Sequence, residues 1–171
     1  MALVVVSSGD SPTSKTRAMA VSFVELAGEG QLIDLIDLPA DALLGRRHDD
    51  AVDDAVTAAS RASVLVLATP VYRATFNGTL KAFLDRFPTD ALADTAVILA
   101  ATAATPAHFL SLDTGGRSVV ASLGGWTVPT VVYATGSEFV DGRPYGAVVD
   151  TVAAALGEAR AVADGLSRRG S

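Results

Sequence analysis

Short runs of continuous apolar residues alternate along the chain with segments whose apolar positions recur at helical spacing. The runs are Ala2–Val6, Gln31–Leu38, Ser63–Thr69, Thr95–Thr102 and Thr130–Ala134. A strand covered on one face alternates apolar with polar residues. These runs, several of them rich in Val, Ile and Leu, instead predict strands buried on both faces. Between them, Met19, Phe23 and Leu26 fall on one side of a helix, as do Val52, Ala55, Val56 and Ala59. A third helix is predicted from Leu80, Phe83, Leu84 and Phe87, opening near Asn77 and stopped by Pro88. The last helix follows Pro144 and places Val149, Val152, Leu156, Ala159, Ala163 and Leu166 on one face, with a tail expected to fray at Arg168–Ser171.

Two stretches are less regular. Thr105–Gly124 carries Phe109, Leu112, Val119, Val120 and Leu123 at helical spacing but contains Gly115–Gly116. Two glycines cost a helix about 2 kcal/mol relative to alanine. Parallel strands on either side need a crossover, and crossovers are usually helices, so a helix is still expected there. Leu38–Asp50, with Pro39, Gly45 and Arg46–Arg47, is expected to be a mobile loop. The alternation as a whole predicts an α/β, doubly wound parallel sheet with helices on both faces. Sheets of that kind bind ligands beyond the C-terminal ends of their strands.

Composition narrows the classes. The chain has 171 residues, half of them hydrophobic, which is enough for one buried core, and no linker or repeat divides residues 1–171, so one domain is expected. A net charge of -6 without a basic stripe argues against nucleic-acid binding. The chain has no cysteine, which removes disulfides, thiolate catalysis and iron–sulfur ligation, and with only two histidines no metal site is expected. Met1 leads into Ala2–Val6 without a basic leader, and that run is too short for a membrane span. A cytoplasmic protein without a membrane segment is the expectation.

The chemistry is sought in the loops after the strands. The first reads Ser7-Ser8-Gly9-Asp10-Ser11-Pro12-Thr13-Ser14-Lys15-Thr16 and runs into a helix. Hydroxyls at Ser8, Ser14 and Thr16, the charge of Lys15 and the free N–H groups of a helix start suit a phosphate. Read alone, the segment is equally an ordinary Ser/Thr-rich capping loop, and it matches neither the Walker pattern nor the dinucleotide glycine fingerprint. The third strand ends in Thr69-Pro70-Val71-Tyr72-Arg73, followed by Gly78-Thr79-Leu80-Lys81 and Leu84-Asp85.

These motifs resemble the NAD(P)H-dependent FMN reductase family, in particular the branch that supplies reduced FMN to sulfonate-using two-component monooxygenases. Ala101-Thr102, Thr105, Ala107-His108 and Leu112-Asp113 extend the resemblance over most of the chain. It implies a flavodoxin-like fold with a five-stranded sheet in the order 2-1-3-4-5. It also implies an FMN phosphate site at Ser8, Ser14, Lys15 and Thr16. The isoalloxazine would be bordered by the backbone of Pro70, Val71, Tyr72 and Arg73, and its other polar edge met by Thr102, Ala103, Ala104 and Thr105. NADPH, or NADH, would pass hydride to the flavin with no catalytic side chain, because backbone donors can stabilise the charge of the reduced ring. A homodimer or homotetramer and a partner flavin-dependent monooxygenase are further implications. The branch often has Gly-Gly where this chain has Ala103-Ala104, and an aromatic or imidazole residue where it has Thr114.

Two other readings of the same motifs stand beside this one. One is an FMN-retaining reductase of quinones, azo compounds or metal oxyanions, and the other a flavodoxin-like electron carrier without nicotinamide turnover. His48, beside Asp49–Asp50, is expected to be a solvated residue at a helix entry, and His108 a packing or interface residue. Lys81 and Asp85 are one turn apart and are expected to form a surface pair. Of Tyr133, Glu138, Asp141 and Arg143, after the fifth strand, none is expected to be catalytic, and a turn at Asp141-Gly142 accounts for half of that segment.

Overall fold

The computed structural model of the protein describes residues 1–169. The chain runs β1 (Leu3–Ser7), α1 (Lys15–Ala27), β2 (Gln31–Asp34), α2 (Ala40–Leu43), α3 (Asp50–Ser60), β3 (Val64–Tyr72), β4 (Thr75–Phe76), α4 (Gly78–Leu84), β5 (Ala96–Ala103), α5 (Ser111–Thr114), α6 (Gly116–Ser122), β6 (Trp126–Thr127), β7 (Val132–Thr135), β8 (Phe139–Val140), β9 (Arg143–Pro144) and α7 (Ala147–Ser167). The main sheet is ordered β2-β1-β3-β5, with β6 and β7 both alongside β5 at the far edge. These pairings are all parallel. With β6 and β7 taken as one interrupted strand, this is the expected order 2-1-3-4-5.

Alternation along each strand sends successive side chains into two separate cores. Val4 and Val6 of β1 join Val52, Phe83, Leu112 and Val120 on one face, while Leu3 and Val5 join Met19, Phe23, Val152 and Leu156 on the other. That is the physical reason for the unbroken apolar runs. Full burial of a side chain of this size contributes about 1.5–3 kcal/mol, so both faces need their helical cover.

The structure departs from the sequence reading at several boundaries. The second strand ends at Asp34, and Leu35–Asp37 forms a 3-10 turn. Leu38–Asp50 is not a simple loop, because α2 lies within it and buries Ala42 and Leu43 in the core. The third helix ends at Leu84, although Phe87 stays buried with its ring edge-on to Phe83 at 5.2 Å. The Thr105–Gly124 crossover is divided into a 3-10 turn at Pro106–His108, then α5 and α6. Gly116 packs so closely that a Cβ there would lie 3.1 Å from Leu99 Cδ1, which explains a glycine at that point. The last helix ends at Ser167. The expected fraying reaches Gly170 and Ser171, which lie outside the described residues.

The fifth strand shows the largest difference. Trp126 and Thr127 pair with Ala96 and Val97, but Val132 next pairs with Ala100, so four residues of the edge strand face two of β5. Pro129 sits in this bulge, where a missing N–H is tolerated. The bulge's free backbone groups are taken up by side chains. Arg117 donates to the carbonyls of Val128 (2.8 Å) and Pro129 (2.7 Å). The Glu158 carboxylate accepts from Thr130 N (3.0 Å) and Oγ1 (2.6 Å). Because the excess is an even number of residues, the inward and outward faces keep their register beyond it.

Candidate functional site

Three loops meet at the C-terminal end of the sheet, one after each of β1, β3 and β5. In the first, Ser8 N (2.9 Å) and Ser8 Oγ (3.2 Å) both donate to the carbonyl of Ala68, which turns the hydroxyl inward. The chain then bends at Gly9, where a Cβ would fall 2.2 Å from Ser14 Oγ. Glycine is needed there for Ser14 to cap α1, its Oγ accepting from Arg17 N at 3.2 Å. The first turn of α1 has no acidic residue, so the partial positive charge of the helix start is uncompensated by the chain. Lys15 is exposed, with its ammonium beside Gly136 of the loop after β7. Thr16 is buried, and its Oγ1 lies 2.6 Å from Thr102 Oγ1.

In the second loop Pro70 closes the buried part of β3, and Val71 and Tyr72 pair back on Phe76 and Thr75. The two turn residues, Arg73 and Ala74, have φ of 53° and 64°. Tight hairpins of this hand usually use Asn-Gly, because a side chain in the left-handed region costs about 1–2 kcal/mol per residue. The turn therefore stores strain beside the site. In the third loop Thr102 is buried, Ala103 half-buried and Ala104 and Thr105 exposed. Thr105 Oγ1 accepts from Ala107 N, and its carbonyl accepts from Tyr133 Oη at 2.7 Å.

Specific bonds tie these loops together. Asn77, which caps α4 by accepting from Leu80 N, donates through Nδ2 to the carbonyl of Ser8 at 2.7 Å. Tyr72 Oη donates to Asp10 Oδ2 at 2.6 Å. The Thr16–Thr102 contact joins the first loop to the third. The hydrogen bond to Asp10, together with burial and the charge of Asp10, raises the Tyr72 phenol above its usual value. Burial raises Tyr133, against a backbone hydrogen bond at His108. Burial also raises Asp34, at the end of β2, although Ser7 and Arg17 favour its charged form.

Asp10 and Asn77 are the loop-joining positions that the sequence reading passed over, Asn77 having been read only as a helix opener. Their hydrogen-bond partners lie in other loops. Of the other residues singled out in the sequence, Tyr133 meets the third loop, and the following sit outside the junction. His48 is exposed at the start of α3, against Asp50 and Asp53. Lys81 and Asp85 form an exposed pair on α4. Glu138 completes a capping box with Thr135, and Asp141-Gly142 makes the β8–β9 turn.

The arrangement is a doubly wound sheet whose strand-end loops offer hydroxyls, a lysine, a helix start and constrained backbone, and it defines a class of nucleotide-type cofactor or substrate binders. A model of the NADPH-dependent FMN reductase family matches residues 1–139, and the chain belongs to that family. It is an NAD(P)H-dependent FMN reductase, an oxidoreductase. It is 35% identical over 147 residues to the NADH-dependent FMN reductase SfnF of Pseudomonas fluorescens (strain Pf0-1), covering 81% of this chain and 79% of that protein. The solved apo structure of the NADH:FMN oxidoreductase EMOB matches with a TM-score of 0.84 and 34% identity over 93% of this chain and 88% of that one. A WrbA-like flavodoxin from Agrobacterium tumefaciens, at 19% identity, shares the flavodoxin-like fold with a TM-score of 0.65, covering 98% of this chain and 97% of that one. Among the described residues no helix is long and apolar enough to cross a membrane.

Proposed function

We propose that the protein reduces exchangeable FMN and releases it to a partner flavin-dependent monooxygenase, acting through residues 1–171 as one domain in a homodimer or homotetramer. FMN is held by its phosphate at Ser8, Ser14, Lys15 and Thr16. Pro70, Val71, Tyr72 and Arg73 border its ring, and Thr102, Ala103, Ala104 and Thr105 meet the ring's polar edge. The observation that supports this reading is the bonding of the three loops to one another, through Thr16–Thr102, Tyr72–Asp10 and Asn77–Ser8, at the end of the sheet where α1 begins. Hydride passes between two rings, so the chain's task is to position them and keep donors aimed at developing charge. NADPH is the proposed donor, with NADH also accepted, since the family description names the first and that of SfnF the second. Delivery to a monooxygenase follows from the resemblance around Ala107-His108 and Leu112-Asp113.

The test compares FMN with riboflavin, which has the same ring and lacks the phosphate. A hydrogen bond to a charged group contributes about 1.5–3 kcal/mol, so Ser14→Ala and Thr16→Ala should weaken FMN by roughly ten- to a hundredfold and leave riboflavin nearly unchanged. Fluorescence quenching reads both, with circular dichroism checking the fold because Ser14 also caps α1. Equal losses for the two flavins would remove the phosphate assignment. FMN that stays bound through gel filtration during turnover would exclude delivery by release.

A further inference from the structure

The proposed phosphate loop contains a carboxylate that no part of that reading uses. Asp10 is the sole acidic residue before Glu25 in the sequence. It stands between two residues that both touch the start of α1. On one side is Gly9, where an added Cβ would collide with Ser14 Oγ. On the other is Ser11, whose carbonyl accepts from Ser14 N at 3.1 Å. This tight return of the chain sets a negative charge beside the hydroxyl and N–H groups proposed to meet the phosphate. The first turn of α1 itself holds no acidic residue, so Asp10 is the one anion of the chain's own placed there by the loop.

The Asp10 side chain is engaged across the site. Its Oδ2 accepts from Tyr72 Oη at 2.6 Å, in the loop after β3. A short bond from a hydroxyl to a carboxylate is of the strong, charge-assisted kind. The upward displacement of the Tyr72 phenol agrees with it. A donor on one carboxylate oxygen draws the charge toward the Arg73–Ala74 hairpin and offsets some of it. Both side chains are exposed, so salt reaches them and screens the charge.

We propose that Asp10 sets the affinity for the flavin phosphate: its charge opposes the phosphate and keeps FMN exchangeable, while the Tyr72 hydrogen bond holds that charge to one side. The inference rests on the phosphate reading above. Hydroxyls, a lysine and a helix start all favour an anion, and without an opposing charge they would slow release of the product. The carboxylate counters them at the phosphate. Riboflavin, which carries no phosphate, is indifferent to it.

The experiment measures FMN and riboflavin binding to apoprotein by fluorescence quenching at about 0.01 M and about 1 M salt, where the Debye length is about 30 Å and about 3 Å. Wild type, Asp10→Asn, Tyr72→Phe and the double variant are compared. Asparagine keeps an acceptor for Tyr72 Oη and removes the charge. At low salt Asp10→Asn should bind FMN about five- to tenfold more tightly, with riboflavin changed less than about twofold, and the gain should nearly vanish at high salt. Stopped-flow release of FMN should slow in the same proportion. Tyr72→Phe frees the carboxylate, so it should lower the ratio of FMN to riboflavin affinity in the wild-type background and leave that ratio unchanged in the Asp10→Asn background. FMN affinity that Asp10→Asn leaves unchanged or lowers would make Asp10 a structural tie between loops and overturn the proposal. Equal gains for the two flavins, or a gain that persists at high salt, would overturn it as well. Failure of the phosphate reading is distinct, since it shows as equal losses for the two flavins in Ser14→Ala and Thr16→Ala.

Discussion

At the scale of single residues, the site depends on a few bonds that cross between loops. Asn77 caps α4 and also satisfies the Ser8 carbonyl, both in buried surroundings. Asn77→Ala loses a cap worth about 1 kcal/mol and leaves a buried carbonyl unpaired at about 1–3 kcal/mol, so a total loss of roughly 2–4 kcal/mol is expected from urea unfolding. Asn77→Asp keeps the cap but sets a carboxylate oxygen against the buried Ser8 carbonyl, and should cost at least as much as Asn77→Ala. Tyr72 supplies a pH signature. Its folded value lies above the ordinary 10.0, so its tighter hold on the proton contributes stability that is complete below pH 10 and is lost as pH rises through the raised value. Ultraviolet titration of phenolate should show one of the three tyrosines shifting to lower pH in Asp10→Ala. An unchanged titration curve would mean that the Tyr72–Asp10 bond does not persist in solution. The Ser14-Lys15-Thr16 loop was legible in sequence because its residues are contiguous. Asn77 and Asp10 were not, because their partners lie 69 and 62 positions away.

At the scale of elements, the strands were legible because both faces are buried, and the breaks were not, because each depends on tertiary partners. The crossover splits where Gly116 must pass Leu99, and the fifth strand is interrupted where Arg117 and Glu158 receive an irregular backbone. Neither partner is adjacent in sequence. Glu158→Ala should cost about 1 kcal/mol, at the lower end for a lost hydrogen-bond acceptor because Thr130 is half-buried, and calorimetry would register it as a lower Tm. The Arg73–Ala74 turn predicts the opposite sign. Ala74→Gly relieves about 1–2 kcal/mol of left-handed strain against about 0.5–1 kcal/mol of backbone entropy, for a net gain of roughly 0.5–1 kcal/mol. Ala74→Val, with a β-branched side chain at φ 64°, should destabilise. A turn that tolerates valine as well as glycine would show that the strain is absent in solution.

At the scale of the whole molecule, the surface left uncovered by the two cores bears on assembly. Large apolar side chains remain outside on the face that carries α2, α4 and the crossover: Leu44 is 59% exposed, Phe109 57% and Leu110 52%. Leu44 lines a shallow groove with Gly78, Lys81 and Ala82 of α4. Single exposed apolar residues need no explanation, but several of this size suit a self-complementary contact. The commonest closed arrangement pairs the same patch on two copies, and a stable interface of that kind buries about 1,600 Å² in total. Light scattering at micromolar concentration should therefore give two or four times the subunit mass of 17.4 kDa. Leu44→Glu and Phe109→Glu place a charge in each part of the contact, and one of them should shift the mass toward a single subunit while far-ultraviolet circular dichroism is unchanged. Activity adds a second reading. Phe109 follows the Pro106–His108 turn beside the Thr102–Thr105 loop, so a monomer made by Phe109→Glu should lose FMN affinity, whereas one made by Leu44→Glu, farther along the chain from that loop, should keep it. A wild-type mass of one subunit would refute assembly outright, and the exposed side chains would then be ordinary surface.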